Sequence, residues 1–368
     1  MSRSQYVQEC IYFNPTYKLS TELFLSLPHK DILSNTMAHF LWRSTPRSTK
    51  FTLTCLFTVS LLILILKIRT RRIAQADPMA PASLLDIVVP FLQLIPRSAI
   101  FYPWVFATAI FAEVSFFSFL LSTVVLYIGT GYVEKFWGYR EVVKYILLVG
   151  VLTNLFTVIV AIVSNIFRGD VAGMDKPLGG GISYLFAFLV VIKRLIPEHN
   201  VVLFHGLINF RIKHLPFILL VLVTLWSSIF RTLHPAVPSL LSFFIAYIYL
   251  RFFQIANVDP ILPVASTNEE GAVSVIRGDG SDAFQLVEFF PGITKPYLSI
   301  LFNAVYKLSV SLGLVTPFDD DFIEQSNLRA QKLSERLNQA NKLIANSVAE
   351  RRRQVALQVI EDRMNGSS

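Results

Sequence analysis

The sequence predicts an all-α polytopic membrane protein, with six spans followed by a cytosolic C-terminal helical tail. Three observations predict it. Of 368 residues, 53% are apolar and 16% charged, where a soluble domain has about 45–50% and about 25%. Mean hydropathy is +0.54. The apolar residues also fall in long blocks, the pattern of membrane spans. An ordinary soluble enzyme is thereby excluded. The 31 phenylalanines and the lack of a short repeat exclude a disordered chain, collagen and a coiled-coil fibre. Two cysteines, Cys10 and Cys55, make neither a disulfide framework nor a CxxC zinc site.

The elements follow in order. Residues 1–50 are a polar extension. Phe51–Leu66 is the first span, without a charge, and it lies too deep in the chain for a cleaved signal peptide. Trp104–Ile128 is the second, interrupted only by Glu113. Val143–Ile166 is the third, with Asn154 inside. Gly179–Val191 is the fourth, short and opened by glycines. Leu215–Phe230 and Ala236–Leu250 are the fifth and sixth. A helix crossing about 30 Å of hydrocarbon needs about 20 residues, so the shorter spans suit a thin membrane or a position inside a bundle. Two loops, Leu84–Pro96 and Pro197–Pro216, are apolar but proline-broken or mixed with charge, and are expected in the headgroup layer, a solvated basic connector being an equal alternative for the second.

The +8 net charge comes from residues 51–254, whose loops carry the excess Lys and Arg, while the two flanks cancel. Such loops set orientation and do not indicate nucleic-acid binding. With the N-terminus cytosolic, the inside loops hold twelve Lys/Arg and the outside loops eight, so both termini are expected in the cytosol.

Residues 255–292 read as linker, because 257–282 are rich in Gly, Asp, Ser and Asn. From 293 onward two helices are expected. Leu298, Leu301, Val305, Leu308, Leu312 and Val315 recur at steps of three and four, giving an apolar face for the membrane surface or the underside of the bundle. Asp319–Asp321 opens the second helix, Phe322–Met364. It carries the basic run Arg351-Arg352-Arg353 and, being polar on most sides, needs a partner.

Chemistry could reside at few places. Gly181-Ile182-Ser183 opens the fourth span and has the GxS form of a serine nucleophile, which needs a base within hydrogen-bond reach. His234, just ahead of the sixth span, is the histidine on the same side, so a Ser183–His234 dyad is the enzymatic alternative. Glycines that let helices approach closely are the structural reading. Glu113 is the carboxylate inside a span, hence a functional candidate by default, although a helix-pinning role is favoured. A transporter would show more such groups than Glu113 and Asn154. No cofactor motif is present, and the spacing of His199, His205 and His214 argues against a metal site.

Ordered motifs then carry a family resemblance. Tyr102-Pro103-Trp104 precedes Glu113 and Ser115-Phe116. Gly131-Tyr132-Val133-Glu134, Trp137-Gly138 and Glu141 follow, then Gly181–Lys193, Arg211–Pro216 and Tyr249–Phe252. Gly278-Asp279, Ser281, Phe284, Phe289–Pro291, Ala349–Arg353 and Asp362-Arg363 complete the series. Over residues 85–364 the chain resembles the transmembrane protein 115 family of rhomboid-like Golgi membrane proteins. That resemblance implies a rhomboid-like six-helix bundle without protease activity. It also implies Golgi-to-endoplasmic-reticulum retrograde transport and a Golgi tethering complex as partner. Rhomboid proteases pair Gly-x-Ser-Gly on the fourth span with Ala-His-x-x-Gly on the sixth. Here Tyr184 stands at the second glycine, and Ser239–Ser242 occupies the histidine region. The Gly131-x-x-Glu134 turn through Trp137 and Gly138 is structural in that family, its glutamate capping backbone donors between helices. Membrane lipid, transmembrane clients and a homo-oligomer are the other expected partners. The endoplasmic reticulum is a second expected location.

Overall fold

The computed structural model describes residues 45–74, 87–170, 172–196, 200–203, 208–257 and 275–365. Pro46–Ser368 cluster as one compact unit. The polar extension lies outside the described residues as far as residue 44.

Six helices build the bundle: α1 (Arg47–Ala74), α2 (Phe116–Trp137), α3 (Tyr139–Arg168), α4 (Ile182–Leu195), α5 (Leu215–Ile229) and α6 (Ala236–Ile248). A π turn over Tyr249–Phe253 continues α6. Four stretches are long and apolar enough to cross a membrane: Arg47–Ile73, Phe116–Trp137, Tyr139–Arg168 and Ala236–Phe253. Helix α5 is apolar but shorter. Helix α4 has 14 residues and is central, with Ser183, Tyr184 and every residue from Phe186 to Val191 buried. Helices α2, α3, α5 and α6 all contact it, and it packs most extensively on α6. A helix wrapped by others contacts little lipid, so its length need not match the bilayer. The large exposed apolar side chains lie instead on the outer faces of α1, α2, α3 and α5, among them Phe57, Leu61, Phe117, Ile159 and Leu222. This is an all-α polytopic membrane protein.

The connections alternate between two ends. One end gathers the N-terminus of α1, the α2–α3 turn, the C-terminus of α4, the N-terminus of α5 and the end of α6. Two short antiparallel ladders serve as connectors among the described residues. The first pairs β1 (Asn200–Leu203) with β2 (Ile208–Arg211), Asn200 facing Arg211. The second pairs β3 (Ile255–Asn257) with β4 (Val275–Arg277), Ile255 facing Arg277. Beyond them come α7 (Lys295–Ser311) and the long α8 (Asp320–Asn365).

Two expectations need correction. The second span is not continuous from Trp104. A helical turn (Val105–Thr108) and a 3-10 turn (Ala109–Phe111) stop at Ala112, whose ψ of 88° leaves the helical region. Helix α2 then restarts at Phe116 and runs to Trp137. The break brings the carboxyl of Glu113 to the start of α4, which an unbroken helix would not do. Gly131 and Glu134 therefore sit inside the last turns of α2. The turn itself falls at Gly138, whose φ of +80° is a conformation that favours glycine.

The described part of Leu84–Pro96 packs partly on the protein: Ile87, Val89, Leu94 and Ile95 are buried, while Phe91 is 44% exposed. Leu178 N–H donates to Leu94 O (2.8 Å), fastening this segment to the approach to α4.

The second correction concerns the linker. Residues 258–274 lie outside the described residues, but from Val275 onward the chain returns to the bundle. Phe284 and Phe289 are buried in the main hydrophobic cluster with Tyr145, Phe243 and Tyr247. The aromatic side chains there outweigh the loop-like Gly and Asp content that suggested a linker.

Candidate functional site

Ser183 lies in the first turn of α4 and is buried. Its Oγ donates to the Gly180 carbonyl at 3.0 Å, a local bond that turns the hydroxyl along its own chain. Facing it from α6 are serines. Ser242 Oγ donates to Ser183 O at 2.7 Å, and Ser239 Oγ donates to Pro235 O at 2.9 Å. Both are fully buried. Such small residues let α4 and α6 approach closely.

His234 is elsewhere. It lines a narrow space with Thr157, Val160, Ala161, Leu178, Leu233, Val237 and Pro238, a set that excludes Ser183. Among the described residues no hydrogen bond joins Ser183 Oγ, which is turned to Gly180 O, to His234, and a serine nucleophile without a bonded base is weak. The Tyr184 ring is buried and packs edge-on against Phe188 at 6.3 Å, filling the place where a glycine would leave room for a neighbouring helix.

Glu113 organises the mouth of this region. Ser122 Oγ donates to Glu113 Oε1 at 2.6 Å, and Gly181 N–H donates to the same oxygen at 2.6 Å. One carboxyl oxygen thus ties α2 to an otherwise orphan N–H at the start of α4. The approach is close: a Cβ on Gly181 would lie 2.9 Å from Glu113 Oε1 and 2.0 Å from Ser122 Oγ. Ser60 Oγ completes the junction by donating to Phe111 O at 3.0 Å, so α1 is joined to it as well. Every contact made by Glu113 positions a helix.

At the opposite end, Glu134 plays a similar part. Its Oε1 accepts from Arg47 N–H (3.1 Å), and its Oε2 accepts from Ser48 N–H (2.8 Å) and Ser48 Oγ (2.5 Å). These are the unpaired donors at the N-terminus of α1, where a negative charge also meets the positive end of the helix dipole. Gly131 lies one turn earlier, where a Cβ would be 3.7 Å from Thr49 Oγ1. Thr49 and Thr130 share a hydroxyl bond at 2.8 Å. The Trp137 ring stacks edge-on against Tyr145 at 5.4 Å. Arg351 and Arg353 are exposed on α8, and the side chain of Arg352 lies outside the described residues.

Sequence reasoning missed a polar junction between the bundle and the returning segment 278–290. Arg194 Nε pairs with Asp279 Oδ2 at 2.7 Å, and both side chains are about five-sixths buried, at 16% and 15% exposure. Lys193 Nζ donates to Ala283 O at 2.8 Å and sits 3.8 Å over the Phe289 ring. Arg251 NH1 donates to Ser281 O at 2.7 Å. Lys213 and Lys295 converge on Glu288 at 3.8 and 2.6 Å. The start of α8 joins the junction, since Asp282 N–H donates to Asn327 Oδ1 (2.8 Å) and Gly280 N–H to Ser326 Oγ (3.3 Å). A cavity of about 180 Å³ lies among Trp137, Lys193, Arg194, Asp279, Arg329 and Leu333. Burial alone would raise the Asp279 carboxyl, but the Arg194 guanidinium, with the Ser281 hydroxyl and amide, outweighs it and holds the group below the usual carboxylate range. The signal in the sequence was Phe284 with Phe289-Phe290, too aromatic for a linker. Among the described residues no His, Cys, Asp and Glu cluster has the form of a metal site.

The chain matches, over residues 50–366, the model of a family described as "Eukaryotic integral membrane protein (DUF1751)". It is similar to the Transmembrane protein 115 homolog of Saccharomyces cerevisiae, with 32% identity over 329 residues, 87% of this chain and 93% of the relative. It is also similar to Rhomboid-like protein 19 of Arabidopsis thaliana, with 29% identity over 237 residues, 64% of this chain and 71% of the relative.

Proposed function

Because this chain belongs to the eukaryotic integral membrane protein family that its residues 50–366 match, we propose that it is a non-catalytic, rhomboid-like Golgi membrane protein. Its role is in Golgi-to-endoplasmic-reticulum retrograde transport. The bundle holds membrane clients or lipid, and the C-terminal helix recruits cytosolic tethering factors. The observation that carries this reading is the Ser183 hydroxyl bonded to Gly180 O, with Ser242 of α6 donating to the Ser183 carbonyl and, among the described residues, no histidine bonded to Ser183. Both termini are cytosolic in this reading. The end of the bundle that holds Lys193, Arg194, Lys213 and Arg251 is then the cytosolic one, as a positive inner face requires.

Helix α8 is the recruiting element. It is 46 residues long, and its contacts with the bundle among the described side chains lie in its first turns, at Ser326, Asn327 and Leu333. A chain ended after Ser334 keeps those contacts and the junction intact. Proximity labelling from the C-terminus of the full chain and of the shortened one tests the role. Cytosolic tethering proteins are expected to be labelled by the full chain and lost from the shortened one. An unchanged set of neighbours contradicts recruitment by α8.

A further inference from the structure

Helix α7 has no buried residue, yet it is not a polar helix. Tyr297, Leu301, Val305, Leu308 and Leu312 follow one another at steps of four, four, three and four, and so share one face. With Ile300 they are between 53% and 78% exposed. A contiguous apolar face of this kind on a folded chain marks an interaction surface.

Where the helix sits limits what can cover that face. Phe302 meets Phe290 at 5.7 Å, and Phe290 meets Phe217 at 5.1 Å, in the first turn of α5. One turn on, Tyr306 stacks on Phe252 at 6.3 Å, in the π turn that ends α6. Helix α7 is thus fastened at two points to the ends of two apolar bundle helices, at the level where the chain leaves the membrane. Its third face carries Ser299, Asn303, Lys307 and Ser311. One face is held by the bundle, one is apolar and one is polar, which is the arrangement of a helix lying in the headgroup layer.

The polar face gives the more specific conclusion. The helix has two lysines and no carboxylate. Lys295 is already bound to Glu288 at 2.6 Å. Binding of an interfacial helix depends on apolar area and on attraction to anionic lipid, and here the second contribution is small. We infer that α7 inserts its Tyr297–Leu312 face into the leaflet at the bundle end and responds to loose lipid packing and curvature, not to anionic lipid. A helix with a weakly charged polar face needs gaps between headgroups before its large side chains enter. The protein would then read the state of the membrane beside α8. This conclusion does not depend on what α8 recruits.

The test uses the full chain in liposomes, with Cys10→Ser and Cys55→Ser so that Leu301→Cys carries an environment-sensitive fluorophore. The expected result is an apolar environment, quenched by lipids labelled on the acyl chain, that strengthens as liposome radius falls or acyl unsaturation rises. Adding phosphatidylserine should change it little. Leu308→Asp should return the probe to water while leaving the Phe302 and Tyr306 contacts in place. Ser299→Lys with Ser311→Lys should make insertion depend on phosphatidylserine and salt. A probe in water under every condition overturns the inference. So does insertion that tracks phosphatidylserine in the unaltered polar face, burial equal in all liposomes, or burial that rises with protein density through contact with a second copy.

Discussion

Asp279→Ala is expected to destabilise the protein by about 3–5 kcal/mol, the usual cost of removing one partner of a buried ion pair. The carboxylate accepts from Arg194 Nε at 2.7 Å and from the Ser281 amide at 3.0 Å. Without it, the Arg194 charge stays buried with the Gln254 side-chain oxygen as its remaining side-chain acceptor. Segment 278–290 should detach, exposing Phe284 and Phe289, and limited proteolysis should cut there first. Replacing both partners, Arg194→Met with Asp279→Leu, should recover much of the loss, because neither position then holds a charge. Gly278→Ala should act in the same direction. Its φ is +85°, and a Cβ would lie 2.3 Å from the Arg251 backbone oxygen, which cannot swing aside as a side chain could. The same pair gives a pH dependence. Since the Asp279 carboxyl is held below its ordinary value, its stabilisation is complete above about 3.9, the unfolded value, and is lost as pH falls through the folded one. Detachment measured by proteolysis should therefore begin only in acid. A segment that stays protected in Asp279→Ala would contradict the junction.

Glu134→Ala is the second large effect, expected at about 3 kcal/mol, from losing hydrogen bonds to a charged acceptor where a donor is buried. Ser48 is fully buried, so its amide and hydroxyl have no water to turn to. Glu134→Gln should cost less, because one oxygen remains to accept. Amide exchange over the first turn of α1 measures the change directly. It should accelerate there in Glu134→Ala and leave the α4 amides, capped at the other end by Glu113, near their original rates.

The contrast between these sites explains what the sequence made legible. Helices α1, α3, α5 and α6 announce themselves by hydropathy, because lipid demands uninterrupted apolar runs with satisfied backbones. The break at Ala112–Ser115 does not. It falls inside an apolar run without Gly or Pro, and what favours it is a carboxyl–amide bond to Gly181, 68 residues away. Long-range partners leave no local periodicity. The burial of Ile87, Val89, Leu94 and Ile95 was missed for the opposite reason, since Pro90 and Pro96 look like surface punctuation while Gln93, Leu94 and Ile95 between them pack inward. At the candidate site the loss of the histidine motif was visible as Ser239–Ser242. The turn of the Ser183 hydroxyl toward Gly180 was not, because rotamers are decided by packing. The Arg194–Asp279 pair joins residues 85 apart across a glycine-rich stretch, and only the aromatic residues after it hinted that this stretch returns to the bundle.

Covalent labelling by a fluorophosphonate, a probe that reacts with activated serine hydroxyls, tests most directly whether this membrane domain is a scaffold or a hydrolase. It would be run on the full-length protein in liposomes beside Ser183→Ala and His234→Ala. The account predicts the same background labelling in all three, because the Ser183 hydroxyl is bonded to Gly180 O and His234 is packed among Thr157, Val160 and Pro238. Labelling that disappears in Ser183→Ala and again in His234→Ala would contradict it and make the protein a hydrolase.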